Sequence, residues 1–309
     1  MSRSVIRSAA APAPPAQGEP LRVAFLGSMT WLDGCAPPEP ARGLLPAHFS
    51  VGAPGEARAR ISAIEDFAPH VTVVLDPPSF PAEVLQALPG LKLGILVSGR
   101  PEGEHAEGLA RLDRVLSFRP ELTGTEIGGV VVWRAIPPPV SDHLFGEVRP
   151  LHEAPRAMSI GRSSRHREAI LMPVKHHHDL LQVIHGLSGQ PLAEVLGEYD
   201  VGVYVSSEPG GGFGQQVGIH LAAGHLLLAE PLHPAHGLER DIDYLQFDSP
   251  ESLGWIFDRL NRFPEMHQRI RVRGRMKAEQ YRASRMFARI LHDLVADVRA
   301  FGPGCRQVG

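Results

Sequence analysis

Short apolar runs that do not alternate with polar residues recur along both halves of the chain. They span residues 21–26, 71–75, 91–97 and 130–136, and then 157–160, 180–184, 201–205, 226–228 and 244–247. A strand buried on both faces of a sheet is apolar throughout, and segments of helical period separate these runs. The pattern therefore predicts an α/β fold with parallel sheets, which bind ligands beyond the carboxyl ends of their strands.

The segments between the runs predict helices near residues 57–67, 164–171, 191–198 and 215–223. Ser249 followed by Pro250 is typical of a helix start, with a capping hydroxyl and then a proline at the first helical position. A last helix is expected over residues 284–301, where apolar residues recur at intervals of three and four.

Three consecutive prolines, Pro137 to Pro139, interrupt this pattern and indicate an extended connector between two domains. The expected organisation is a disordered tail (1–19), a Rossmann-like domain (20–140), a linker (141–155), a second Rossmann-like domain (156–285), and a last helix with a tail (286–309). The length of 309 residues suits two domains of about 120–150 residues each. The Ala/Pro-rich N-terminus has no apolar core, so it is not predicted to be a secretory signal.

Composition narrows the class of protein. A net charge of −3 gives no general attraction to nucleic acid, and no apolar run approaches the roughly 18 residues that span a bilayer. Cys35 and Cys305 lack partners at metal-ligand spacing and form no disulfide framework, so we expect a reducing, cytoplasmic compartment.

A glycine-rich loop, residues 210–214, follows a predicted strand and precedes a predicted helix. Such a loop brings backbone N–H groups and a helix N-terminus close to an anion, which makes it a candidate phosphate site. It matches neither the P-loop nor the G-x-G-x-x-G dinucleotide spacing. The alternative is a loop whose glycines only permit close packing.

The turn GRSSRHR, residues 161–167, has the same position between strand and helix. Ser163 or Ser164 can cap the helix, and Arg165 or Arg167 can bind a diphosphate through forked hydrogen bonds. The alternative is a solvated basic turn. Positive charge is unfavourable at a helix N-terminus, so we favour the functional interpretation.

The 16 histidines include a run at residues 176–178, which we interpret as a solvated loop rather than a metal site, because consecutive side chains point in different directions. His185 follows a strand, and His220, His225, His233 and His236 lie beside turns. They are candidate general bases or partners of sugar hydroxyls, although each alone is more often a satisfied polar residue.

Two charged segments carry weaker signals. Asp241-Ile242-Asp243 matches a D-x-D metal motif, but its loop lacks the matching sheet context, so we attribute it to chance. Eight Lys or Arg residues between Arg269 and Arg289 form a solvated face or a surface that contacts an anionic membrane.

Residues 157–300 resemble the C-terminal half of GT-B glycosyltransferases, especially the bacterial group known as spore-maturation-like, or glycosyl transferases group 1. The resemblance rests on GRSSRHRE, His185-Gly186, DVGVYVSSEP and FGQQVGIHLAAGHLLLAE. Residues 21–136 match only in pattern. The resemblance implies two Rossmann-like domains facing across a cleft, a last helix that crosses back, a nucleotide-diphosphate-sugar donor in the second half and an unknown acceptor in the first.

The same resemblance assigns roles to individual residues, without any metal or further cofactor. It implies that the Gly27-Ser28 turn faces the cleft and that Glu239 lies near the nucleotide or sugar. The residues implied to flank the diphosphate are Arg162, Ser163, Arg165, Arg167, Gly212, Phe213, Gly214 and Gln215.

The chain departs from this family at two carboxylates. Retaining relatives have a Glu before G-F-G and a second Glu eight residues after the first, and these positions fall on Gly211 and Ile219 here. His220 or Glu208 would substitute for the second carboxylate, and His185, just after a strand, is the histidine better placed to face a ligand. The sequence thus leaves three hypotheses: a glycosyltransferase, a non-catalytic protein that keeps the two-domain fold and binds a sugar, nucleotide or protein, and, less favoured, an epimerase or phosphorylase.

Overall fold

The computed structural model describes residues 18–52, 56–97, 99–152, 154–183 and 187–303. Its strands are β1 (Leu21–Gly27), β2 (Leu44–Ser50), β3 (Val71–Leu75), β4 (Leu91–Leu96), β5 (Arg114–Ser117), β6 (Glu126–Ile127), β7 (Val130–Val131), β8 (Arg134–Ala135), β9 (Ala157–Ile160), β10 (Leu180–Val183), β11 (Val201–Tyr204), β12 (Leu226–Ala229) and β13 (Leu245–Gln246). Its α-helices are α1 (Met29–Cys35), α2 (Glu56–Phe67), α3 (Ala82–Ala87), α4 (Glu104–Glu107), α5 (Arg165–Lys175), α6 (Gly189–Leu196), α7 (Gln215–Ala222), α8 (Pro250–Arg262), α9 (Gln268–Ala278) and α10 (Ala283–Phe301).

Two parallel sheets form the framework, as the apolar runs predict. The first has the order β2-β1-β3-β4-β5-β8 and the second the order β10-β9-β11-β12-β13. The middle strands are fully buried; every residue of β3, β11 and β12 is in the core. Together with the flanking helices, the sheets make two Rossmann-like domains.

Both sheets reverse their strand order at an equivalent place. The second strand of each lies on one side of the first, and the third lies on the other, so the reversal falls between β1 and β3 and between β9 and β11. In open parallel sheets, the loops at the carboxyl ends of the strands diverge at such a switch point and leave a crevice for a ligand. The topology therefore marks two places where sites are expected.

The structure corrects the single strand expected at residues 130–136. Val130–Val131 pairs with Glu126–Ile127 in an antiparallel hairpin, and only Arg134–Ala135 joins the first sheet. The hairpin turn is Gly128-Gly129, and both glycines have positive φ, which favours such a turn. Strand β2 was not expected from the sequence; it is an edge strand, and it tolerates Pro46 because edge positions need not donate to a neighbour.

Helix starts follow the predicted capping residues. The Ser164 side chain accepts a hydrogen bond from the Arg167 N–H and caps α5. Ser249 forms a capping box with Ser252, and Pro250 opens α8, as expected from the sequence. Within the described part of the chain, no helix is long and apolar enough to cross a lipid bilayer.

Contacts divide the chain into two compact units. Of the described residues, one unit contains those up to Leu32, those of Glu39–Ile136 and those from Ala288 onwards; the other contains Asp33–Pro38 and those of Pro137–Phe287. Each unit holds one of the two sheets. The division at Pro137 falls on the first of the three prolines. The second unit includes the six residues from Asp33, which are distant from it in sequence.

Candidate functional site

The loops that follow β9 and β11 lie side by side at the switch point of the second sheet. Ser164, which caps α5, donates its hydroxyl hydrogen to the carbonyl oxygen of Ser207 at 2.8 Å. Because Ser207 belongs to the loop after β11, this bond joins the arginine-rich turn to the segment that leads into the glycine-rich loop. The two motifs that the sequence singles out are thus brought together.

Arg167 strengthens the same junction from inside. Its Nε donates to the Val205 carbonyl at 2.8 Å and its Nη1 to the Arg162 carbonyl at 2.7 Å, and the residue is only 8 % exposed. This corrects the expectation that Arg167 binds a diphosphate directly, because the backbone of two loops already engages its guanidinium. Arg162 and Arg165, by contrast, are exposed.

The glycine-rich loop is shaped by close packing as well as by conformation. Gly212 has φ +73°, accepts a hydrogen bond from the Tyr204 hydroxyl at 2.8 Å, and would place a Cβ 2.6 Å from the His233 carbonyl oxygen. A Cβ on Gly214 would lie 2.7 Å from the Tyr204 hydroxyl. At these two positions a side chain would clash, so the packing interpretation of the glycines holds here.

Phe213 lies between these glycines and anchors the loop in the core. Its ring contacts the rings of His236 and Tyr281, with centroids 4.9 and 5.4 Å apart, and only 9 % of the residue is exposed. This corrects the expectation that Phe213 contacts the diphosphate. It fixes the loop instead.

Helix α7 starts where the glycine-rich loop ends, and Gly214 supplies no side-chain cap for it. The first-turn N–H groups of a helix have no partner within the helix, so an uncapped N-terminus can accept an anion. The Gln215 side chain turns to the Asp33–Pro38 segment, where its Nε2 lies 3.0 Å from Cys35 Sγ. The backbone at the start of α7, rather than the Gln215 amide, is therefore the group suited to an anionic ligand.

His220 is wrongly predicted as a catalytic group. It is 0 % exposed, packs on Gly202 of β11, and places its Nδ1 3.0 Å from His225 Nδ1. Because α7 begins at the carboxyl edge of the sheet and runs back, its last turn lies near the amino edge, away from the loops described above. Burial lowers the pKa of His220 well below its usual value and that of His225 to about 4.

A buried charged cluster occupies the same amino edge. Asp200 accepts hydrogen bonds from the His152 ring at 2.6 Å and from the Arg156 N–H at 3.1 Å. Arg271 is 1 % exposed, donates to the Gly224 carbonyl at 2.6 Å, and approaches Asp200 to 3.7 Å. These bonds tie together the segments that enter β9, β11 and β12, so the cluster is structural.

Glu230 is a residue of this region for which the sequence predicted no role. It directly follows β12, accepts from the Ser206 N–H at 2.8 Å, and lies 2.7 Å from His166 Nε2. It thereby connects the loop after β12 to α5 and to the loop after β11. The sequence LLLAE could have indicated this residue, because its acidic side chain comes immediately after an apolar strand.

The remaining predicted residues of the second unit lie on its surface or outside the described residues. Glu208 and Glu239 are exposed, and the Glu239 carboxylate is 3.9 Å from Lys277 Nζ. Ser163 donates to the Glu168 carboxylate. His185 lies outside the residues that the structure describes.

Gly27 and Ser28 belong to the first unit. Gly27 is buried, and a Cβ on it would lie 3.0 Å from the Leu75 Cβ of β3. Ser28 is exposed at the end of β1. This turn therefore lies at the switch point of the first sheet.

The D-x-D motif has a structural explanation. Asp243 is 1 % exposed, accepts from the Glu239 N–H at 3.0 Å, and pairs with Arg273 at 3.4 Å. Asp241 pairs with its neighbour Arg240 at 3.0 Å. Over the ranges that the structure describes, no group of three or more His, Cys, Asp or Glu side chains is arranged to hold a metal ion.

Comparison with known proteins gives likenesses in structure but not in sequence. No protein-family model matches the chain, and no curated protein sequence matches it. A glycosyltransferase from Rickettsia africae is similar at a TM-score of 0.58 and 9 % identity, over 92 % of this chain and 100 % of that one. HepE from Anabaena, solved with UDP-glucose, is similar at 0.55 and 9 % identity, over 89 % of this chain and 99 % of that one.

A sucrose-phosphate synthase from Thermosynechococcus elongatus is similar at a TM-score of 0.54 and 13 % identity, over 90 % of this chain and 99 % of that one. The likenesses extend over both units, and the two parallel sheets agree with them. The chain has the GT-B glycosyltransferase fold.

Proposed function

We propose that the protein is a glycosyltransferase. It transfers a sugar to an acceptor from a nucleotide-diphosphate sugar, which its second unit binds. The observation that carries this proposal is the junction at the β9/β11 switch point, where Ser164 and Arg167 join two loops. Arg162 and Arg165 remain exposed beside it, and the joined loop leads to the uncapped start of α7. The fold shared with an Anabaena protein solved with UDP-glucose supports the same ligand class.

The chemistry follows from charge. An acceptor hydroxyl oxygen forms a bond to the anomeric carbon and gives up its proton, while the bond between that carbon and the diphosphate oxygen breaks. Negative charge therefore grows on the leaving diphosphate. Arg162 and Arg165 stabilise that charge, together with the N–H groups at the start of α7, so no metal ion is needed. Glu208 and Glu239 are exposed carboxylates in adjoining loops, and we propose that they contact the sugar or nucleotide.

Calorimetric titration with UDP, UDP-glucose, ADP and GDP tests the donor site. We expect at least one nucleotide to bind, and Arg165→Ala to weaken it about tenfold or more, because a hydrogen bond to a charged group contributes about 1.5–3 kcal/mol. Arg262→Ala removes an exposed arginine from α8 and serves as the matched control. If none of these nucleotides binds at millimolar concentration, the proposed donor site is contradicted.

A non-catalytic role is the second candidate, and one observation favours it. Ile219, at the position of the second family carboxylate, is 4 % exposed in the core, so no acid is available there. Release of free glucose from UDP-glucose distinguishes a transferase from a non-catalytic protein. The same measurement with EDTA tests whether the release needs a metal ion. Turnover that Arg165→Ala abolishes supports the transferase, whereas nucleotide binding without turnover on any donor supports the non-catalytic role.

A further inference from the structure

A pocket of about 300 Å³ lies in the first unit, at the switch point between β1 and β3. Its walls come from the turns after β1, β2 and β3, where Ser28, Trp31, Val51, Asp76, Ser79 and Phe80 line it. This volume is at the lower end of the range for small-molecule sites, about 300–1,000 Å³. It suits one small ring rather than a nucleotide.

Asp76 lines this pocket and has a left-handed backbone conformation. Its φ and ψ are 63° and 61°, in the left-handed region, where aspartate is among the more frequent residues other than glycine. Its N–H donates to the Ile95 carbonyl at 3.0 Å, and its carboxylate accepts from the Ser79 hydroxyl at 2.6 Å. These two bonds fix the position of the Asp76 carboxylate in the pocket lining.

The lining combines two kinds of surface. Trp31 and Phe80 supply aromatic rings, while Ser28, Ser79 and Asp76 supply hydroxyl and carboxylate groups. A pyranose ring matches both, because its C–H face packs on an aromatic ring and its hydroxyls donate to a carboxylate. Among the described residues that line the pocket, Asp76 alone is ionisable. A phosphorylated sugar would therefore meet like charge without a cation to offset it.

We propose that this pocket binds a single neutral sugar ring, with Trp31 as the stacking surface and Asp76 as the acceptor of its hydroxyl hydrogens. The pocket selects against phosphorylated and other anionic sugars. Its use as the acceptor site of a transfer reaction rests on the proposed function, but the binding itself does not.

Saturation-transfer NMR and calorimetry without nucleotide test this proposal, so its outcome is separate from that of the donor site. The probes are glucose, galactose, mannose and N-acetylglucosamine, with glucose 6-phosphate as the anionic counterpart. We expect at least one neutral sugar to bind, and glucose 6-phosphate to bind at least tenfold more weakly than glucose.

Asp76→Asn keeps the size of the side chain and tolerates the left-handed conformation, since asparagine is enriched there. We expect it to weaken neutral-sugar binding about tenfold and to narrow the discrimination against glucose 6-phosphate. Trp31→Leu should weaken binding similarly, whereas Asp66→Asn, on the exposed side of α2, should change nothing. If Asp76→Asn fails to fold, Trp31→Leu and the binding of the sugar panel to the wild-type protein still test the proposal.

Three results would overturn the proposal. The first is the absence of binding by every neutral sugar up to about 50 mM. The second is binding of glucose 6-phosphate as tight as that of glucose. The third is unchanged sugar binding in Trp31→Leu, which would exclude this pocket as the site.

Discussion

The buried histidine pair makes the second unit sensitive to acid. His225 is 1 % exposed, bonds to the Leu196 carbonyl at 2.9 Å, and contacts His220. Burial lowers its pKa from 6.5 to about 4, so the unfolded chain takes up a proton at a higher pH than the folded protein. The second unit therefore has its full stability above about pH 6.5, and its free energy of unfolding decreases progressively as the pH falls toward 4.

The size of this decrease follows from the difference between the pKa of His225 in the folded protein and in the unfolded chain. A tenfold difference in proton affinity corresponds to about 1.4 kcal/mol, so the change in His225 amounts to about 2 kcal/mol between pH 7 and pH 5, and about 3.4 kcal/mol at the limit. His220 adds to this loss, since burial and the neighbouring ring lower its pKa too. We expect the free energy of unfolding of the second unit to fall by at least about 2 kcal/mol from pH 7 to pH 5.

The assay is urea unfolding at both pH values in a background carrying Trp31→Phe and Trp133→Phe, so that fluorescence of Trp255 reports the second unit. His225→Gln keeps a donor for the Leu196 carbonyl but does not titrate, and it should remove about 2 kcal/mol of the pH dependence. His292→Gln, which changes a histidine whose side chain is 84 % exposed, is the control. If His225→Gln loses as much stability as the parent protein between pH 7 and pH 5, His225 is not a source of the pH dependence.

Two further predictions concern the glycine-rich loop and the basic surface. Gly212→Ala should weaken nucleotide binding about tenfold more than Gly210→Ala does. Both glycines have φ +73°, but only at Gly212 would the added Cβ lie 2.6 Å from a backbone carbonyl oxygen, that of His233. Equal effects of the two substitutions in calorimetry would contradict this. We also propose that α8 and α9 contact anionic membranes, since Trp255 (62 % exposed) and Met276 (69 % exposed) share these helices with the exposed Arg262, Arg269 and Arg273, whereas Arg271 is buried. The protein should cosediment with phosphatidylserine vesicles at low salt, less so after Trp255→Ser, and not with phosphatidylcholine alone; binding unaffected by salt would count against it.

Much of the framework could be predicted from local patterns. Apolar runs such as residues 71–75 gave the positions of buried strands, because burial on both faces excludes polar residues. Ser164 and Ser249 gave helix starts, because capping depends only on nearby residues. The strand expected at residues 130–136 was wrong because a run of the same composition can also fold into a hairpin once Gly128-Gly129 permits the turn.

The site was harder to predict because its side chains depend on distant carbonyls. The bond from Arg167 to the Val205 carbonyl spans 38 positions, and nothing local to Arg167 distinguishes it from the exposed Arg165. His220 did carry a signal. The helix around it, VGIHLAA, is apolar on every side, which is typical of a helix buried all round.

The division of the chain into units has a consequence for its synthesis. Part of α10 belongs to the first unit, where Asp297 pairs with Arg114 at 2.5 Å and Leu291 and Leu294 are fully buried. A ribosome makes about 5–20 residues per second and releases the N-terminal part first. The first sheet must therefore wait, with apolar surface uncovered, until the last helix has been translated. Translation speed and chaperone access should thus affect the yield of this protein more than that of one whose domains are each continuous in sequence.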